Sequence, residues 1–179
     1  MKDLVQDRLP HAPHVGLFVV PHIPEARLAN ALNDYAHHVK HSDVLALYDA
    51  TLSGNAKDGA VFARDRFVFQ NTDLEAPQTV RYRDLVGVET NSRWMGLGGK
   101  KVDLTVNRGR ATFDLTMVFS GQPGAAEHVA AFLETAMLHD LSENTETGTD
   151  VAAVRDALQR LYNEGKLSEA DLERLLNVL

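Results

Sequence analysis

The densest run of chemistry-bearing side chains is Asp49-Ala-Thr-Leu-Ser-Gly54-Asn-Ala-Lys57-Asp58-Gly59. Asp49 and Asp58 could act as paired carboxylates with Lys57 as an activating partner. General acid–base work of that kind requires the groups to converge in a cleft that shifts their pKa values. The same residues also describe a structured hairpin connection. Asp and Thr side chains bond turn amides, and glycines accept positive φ. The structural reading is preferred, because turn residues of this kind are common.

Histidines are the second candidate set. His11, His14 and His22 sit near the N-terminus, and His37, His38 and His41 sit at the end of the first predicted helix. His37 and His41, four apart, would share a helix face, a spacing that can hold a metal. The metalloprotease pattern needs Glu directly after the first His, and His38 stands there instead. Histidines at a helix C-terminus also complement its dipole, which accounts for the cluster without a metal. No metal or other cofactor is expected.

Gly96-Leu-Gly-Gly99-Lys100-Lys101 invites a phosphate-loop reading and fails it. Trp94 stands where the first glycine belongs and Lys101 where Ser or Thr is required, and a strand follows instead of a helix. A hairpin loop made basic by Arg93, Lys100 and Lys101 is the alternative. Trp94-Met95 beside these cations could touch a membrane surface. A solvated loop with a half-buried tryptophan is preferred, since isolated exposed apolar residues are normal. No GxSxG elbow is present, and the serines have no local nucleophile context.

The elements around these residues follow from periodicity. Leu28, Leu32, Tyr35 and Val39 predict an amphipathic helix over 24–39, opened by Pro24 and Glu25. From Asp43 to Phe119 the pattern becomes that of seven short strands, mostly alternating as half-buried antiparallel strands do. Val80/Tyr82, Val102/Leu104/Val106 and Phe113/Leu115/Met117 are the clearest cases. Arg64-Asp65 and Asn107-Arg-Gly109 mark hairpin turns. So many short strands point to a sandwich or small barrel. Val129, Phe132, Leu133, Ala136, Met137 and Leu141 then form the apolar stripe of a helix over 124–141.

Residues 142–150 contain no apolar side chain and read as a linker. Beyond it, Val151, Val154, Leu158 and Leu161 give one short helix, ending near Gly165. Ser168-Glu-Ala-Asp171, a variant capping box, opens a second helix carrying Leu172, Leu175, Leu176 and Leu179. Two such helices cannot bury enough apolar surface to stand alone. Leu158, Leu161, Leu172, Leu175, Leu176 and Leu179 are therefore expected to bind something: the chain's own β-domain, a second copy, or another protein.

Composition narrows the function classes. The 179 residues carry a net charge of −7 and no cysteine. That excludes disulfides, thiolate nucleophiles and Cys-type zinc sites, and makes a reducing, cytoplasmic location the simplest expectation. The longest apolar stretch, Val15 to Pro21, is far short of a membrane span of about 20 residues. The mixed charges of Lys2, Asp3, Asp7 and Arg8 do not suit a signal peptide. Residues 57–110 hold ten Lys/Arg against seven Asp/Glu, whereas residues 111–179 hold four against twelve. The acidic C-terminal excess argues against general nucleic-acid binding, although the basic middle could form a local patch.

The strand pattern capped by one helix is the arrangement of the pleckstrin-homology (PH) superfold. Ile23-Pro24-Glu25, a helix ending in Tyr35-Ala36, Val44-Leu-Ala-Leu-Tyr-Asp49-Ala-Thr51 and Gly54-Asn-Ala-Lys57-Asp58-Gly59 together resemble bacterial PH-like domain proteins. The resemblance spans roughly residues 17–140. The tail, through Leu158, Leu161, Gly165, Leu167, Ser168, Glu169, Asp171, Leu172 and Leu176, is similar to the short C-terminal domain called SHOCT, with Leu172 where an aromatic is common. These resemblances imply a non-catalytic protein whose tail serves oligomerisation or protein contact. The expected fold class is α+β: a seven-stranded antiparallel PH-like barrel or sandwich capped by a helix. Its expected parts are an N-terminal segment and helix (1–42), the β-domain (43–141), the linker (142–150) and the helical hairpin (151–179). Self-association or docking of a protein partner is the expected function, with no nucleic acid and no small-molecule substrate. The alternatives are an anionic-lipid adaptor using Arg93, Trp94, Lys100 and Lys101, and a metal protein or enzyme using residues 49–59.

Overall fold

The computed structural model describes residues 1–92, 99–119 and 121–146, together with Gln159 and Tyr162. The chain divides into two compact units, Met1–Asp140 and Leu141–Leu179. In the first, a helix α1 (Lys2–Arg8), a short strand β1 (Leu17–Val19) and a helix α2 (Glu25–Asp34) precede seven strands. These are β2 (Val44–Asp49), β3 (Gly59–Ala63), β4 (Arg66–Gln70), β5 (Gln78–Arg81), β6 (Leu85–Ser92), β7 (Lys100–Asn107) and β8 (Thr112–Phe119). A long helix α3 (Ala125–Glu146) follows. The strands make two antiparallel sheets, β1-β2-β3-β4-β5 and β6-β7-β8. The α+β class is as expected; the strands form two sheets and not a closed barrel.

Strands β7 and β8 alternate in exposure as half-buried strands do, but β2, β3 and β4 are buried almost throughout. Their side chains feed two cores. Tyr48, Phe62, Phe67 and Phe69 point into a cluster shared with Val102, Leu104, Val106 and Phe119 of the second sheet. Leu47, Val61 and Val68 point the other way, against Leu28, Ala31 and Tyr35. A strand buried on both faces carries a near-continuous apolar run instead of alternation, and Gly59-Ala-Val-Phe-Ala63 reads so.

Residues 1–42 contribute to that double burial, covering both faces of the five-stranded sheet. Val5 and Leu9 join the first core, and Phe18, Leu28, Ala31, Tyr35, Ala36 and Val39 belong to the second. β1 adds an eighth strand, with Phe18 opposite Leu47. The peptide bond between Val20 and Pro21 is cis.

Helix α2 also stops earlier than its periodicity predicts. Tyr35 leaves helical geometry at φ −131°, and the Ala36 amide donates back to the Ala31 carbonyl at 3.0 Å. The chain then turns so that Tyr35, Ala36 and Val39 all reach the core.

Helix α3 buries four of the six residues of its expected stripe; Met137 is half-buried, and the side chain of Leu141 lies outside the described residues. Val129, Phe132, Leu133 and Ala136 are fully enclosed. The Phe132 ring meets Phe62 and Tyr82 edge-on, at centroid distances of 5.6 and 5.8 Å. Burial of one such phenylalanine contributes about 2–3 kcal/mol. The helix continues through Glu146, five residues into the stretch expected to be linker. Polar composition does not end a helix already nucleated, and extending it fixes one residue per hydrogen bond gained.

One glycine ties the N-terminal segment to the sheet. Gly16 has φ +75°, and a Cβ there would stand 2.3 Å from the Asp49 carbonyl oxygen, against a backbone whose Asp49 amide donates to the Gly16 carbonyl at 2.8 Å. Gly109 has nearly the same φ, +79°, with open space around it. Gly16→Ala is therefore expected to cost more than about 2 kcal/mol, and Gly109→Ala about 1 kcal/mol. Urea unfolding of the two variants checks the difference; equal midpoints would contradict the close approach at Gly16.

Candidate functional site

The β2–β3 connection is organised around Asp49, the last residue of β2. Its side chain is only 1% exposed. Four donors meet the carboxylate. On Oδ1 these are the Thr51 amide at 2.9 Å, the Thr51 hydroxyl at 2.5 Å and the Ala56 amide at 3.2 Å. On Oδ2 it is the Arg27 guanidinium at 3.1 Å. Thr51 Oγ1 in turn accepts from the Asn55 amide at 3.0 Å, and Asn30 of α2 donates to the Asn55 carbonyl at 2.8 Å. Arg27 is held from its other side by the Phe18 ring, 4.7 Å away. Ala56 takes φ +54°, so the loop is wound tightly enough to aim its amide inward. Hydrogen bonds to this extent offset the cost of enclosing a polar side chain.

Asp58 and Lys57 go elsewhere. They line an open cleft of about 860 Å³ with Asp34, Leu52, Asn71 and Asp73, which Asp49 does not reach. Burial is the main effect raising the Asp58 carboxyl above its ordinary 3.8; a hydrogen bond from Gln70 acts the other way, and Asp73 and Asp34 add to the rise. Burial, then the charges of Asp49, Asp58 and Asp34, also push the Tyr35 phenol up, so it stays protonated. Asp49 and Asp58 thus do not form a pair, and an acid–base set built on both is not assembled.

The histidines do not gather into one set, although the His11 and His22 rings lie 5.2 Å apart. Because α2 ends at Asp34, His37 and His41 lie beyond it and share no helix face. His41 Nε2 is 3.3 Å from Glu25, His38 Nε2 is 3.2 Å from the Thr79 hydroxyl, and His11 Nδ1 accepts from the Val19 amide at 3.4 Å. Among the described residues no three His, Asp or Glu side chains converge as metal ligands would.

Of the basic loop, Arg93 and Trp94 lie outside the described residues. Lys100 pairs with Glu127 of α3. Lys100 aligns with the buried Phe119, whereas Lys101 is its neighbour along β7 and so points to the opposite face. The two lysines do not share a surface. The tail leucines 158, 161, 172, 175, 176 and 179 also lie outside the described residues; the two described tail residues, Gln159 and Tyr162, are helical. Among the described residues no helix is long and apolar enough to cross a membrane.

Arg27 and Asn30 are the site residues that the sequence reading missed. They stand 22 and 25 positions from their partners. Their only local signal is a polar stripe on a helix whose other face is apolar. No protein-family model, curated protein or solved structure matches the chain.

Asp49→Ala is expected to destabilise by about 3 kcal/mol, since it strands two inward amides and an arginine. Lys57→Ala should stay within about 0.5 kcal/mol. Chemical denaturation of both variants checks this, and comparable losses would contradict the central role of Asp49. Asp58→Asn should stabilise at neutral pH. With the folded-state pKa raised, ionisation weighs against the fold above that pKa, and the gain vanishes as pH falls below the ordinary 3.8. Thermal midpoints across pH test the sign.

Proposed function

We propose that this chain is a non-catalytic interaction module, a PH-like scaffold whose SHOCT-like tail self-associates. The observation that carries the reading is the state of Asp49. The carboxylate best placed by sequence for chemistry is enclosed and bonded to four donors of its own fold. The PH-like part of the reading draws support from strand order. Four antiparallel strands (β2–β5), three more (β6–β8) and a closing helix α3 share one core, with β1 as an added edge strand. The tail part rests on six leucines whose spacing predicts two helices too short to satisfy them. The absence of cysteine suits a reducing compartment. A closed two-fold dimer is the simplest assembly for such a self-complementary face.

Light scattering at micromolar concentration tests this. The full chain should run as a dimer or larger, and the double variant Leu172→Asp/Leu176→Asp as a monomer with unchanged near-ultraviolet circular dichroism. A monomeric full chain would remove self-association through the tail.

A further inference from the structure

We propose that a cleft between the β5 edge and the β7–β8 turn binds the phosphoryl group of a phosphomonoester. The cleft, of about 570 Å³, is lined by Arg66, Arg81, Arg83 and Arg108. That volume falls in the range of about 300–1,000 Å³ typical of small-molecule sites. The arginines gather on a chain whose net charge is −7, so they form a local positive field within an acidic molecule.

Charge pairing leaves two of them unmatched. Arg66 holds Asp65 through two nitrogens, at 2.9 and 2.7 Å. Arg83 lies 3.7 Å from Asp84. Among the described residues, neither Arg81 nor Arg108 has a carboxylate within 4 Å. Four guanidinium groups against two carboxylates leave two positive charges, the complement of a phosphomonoester dianion. The planar fork of arginine suits phosphate oxygens bidentately.

Arg108 is already oriented. Its Nη2 donates to the Thr79 carbonyl at 2.7 Å, and the guanidinium lies 5.1 Å over the Phe113 ring. These contacts leave its remaining N–H donors for a ligand.

Folding alone does not account for the cluster. Arg66 and Arg81 are direct partners across the β4–β5 ladder. Like charges placed opposite one another on antiparallel strands repel and weaken the pairing. Asp65 pairs with Arg66 and attracts Arg81 more weakly, from beyond ion-pair distance, so the opposition is only partly offset. A bound dianion relieves this repulsion. The cleft shares no residue with the one beside Asp58, and it does not depend on how the tail assembles.

The test uses the full chain at fixed ionic strength, following arginine Nε–H resonances by NMR. Titration with inorganic phosphate and with glycerol 3-phosphate should give saturable shifts at Arg81, Arg83 and Arg108. Arg81→Gln should weaken binding at least about tenfold, while its unfolding midpoint without phosphate holds or rises. Arg108→Gln should weaken binding similarly. Co-sedimentation with phosphatidylcholine vesicles containing phosphatidic acid separates the sources. Sedimentation reversed by glycerol 3-phosphate assigns the site to a lipid headgroup, and binding of the soluble probes without sedimentation assigns it to a soluble phosphoester. No saturable shift with either soluble probe, unchanged affinity in Arg81→Gln, or a lowered midpoint in that variant would overturn the proposal.

Discussion

A carboxylate enclosed in a protein must be bonded or neutralised, and the way Asp49 is bonded sets the layout of the first compact unit. Its donors come from two places: the loop that follows it and helix α2, more than twenty residues earlier. Arg27 can reach Asp49 only when α2 lies across the five-stranded sheet. In that position α2 also covers Leu47, Val61 and Val68. Satisfying one buried charge and burying one apolar sheet face are therefore a single event. Phe18 of β1, stacked against the Arg27 guanidinium, brings the added edge strand into the same arrangement.

The loop's chemistry follows from this constraint. With Asp49 turned inward, the outward face of residues 50–58 presents Leu52, Lys57 and Asp58 on a fixed frame. On that face burial raises the Asp58 carboxyl above its ordinary value. Positive charge collects instead where β5 meets the β7–β8 turn. There, arginines placed for neither core packing nor complete pairing leave a field for an anion.

Period-two alternation carries information only where one face of a strand meets water. β7 and β8 were legible for that reason, as was the α3 stripe through Phe132 and Ala136. β2 to β4 show unbroken apolar runs, and nothing in those runs says what covers the second face. β1 is three residues long and exists because β2 is there to pair with it. The early end of α2 depends on Tyr35 and Ala36 turning into a core that their spacing alone does not reveal. At the site, the turn chemistry of Asp49 and Thr51 could be read locally because its bonds span only a few residues. Arg27 could not, since its partner is remote. The Arg66–Arg81 opposition is a matter of register, which alternation in either strand leaves open.

Amide hydrogen exchange at Ala56 is the most direct measure of whether Asp49 serves the fold. The Ala56 amide is enclosed in a loop, bonded only to the Asp49 carboxylate and the Thr51 hydroxyl. It should exchange only through global opening, as slowly as the amides of Val61 and Val68 in the neighbouring strands. Exchange at the rate of exposed Leu52 would mean that the loop opens freely around Asp49, and would contradict the account.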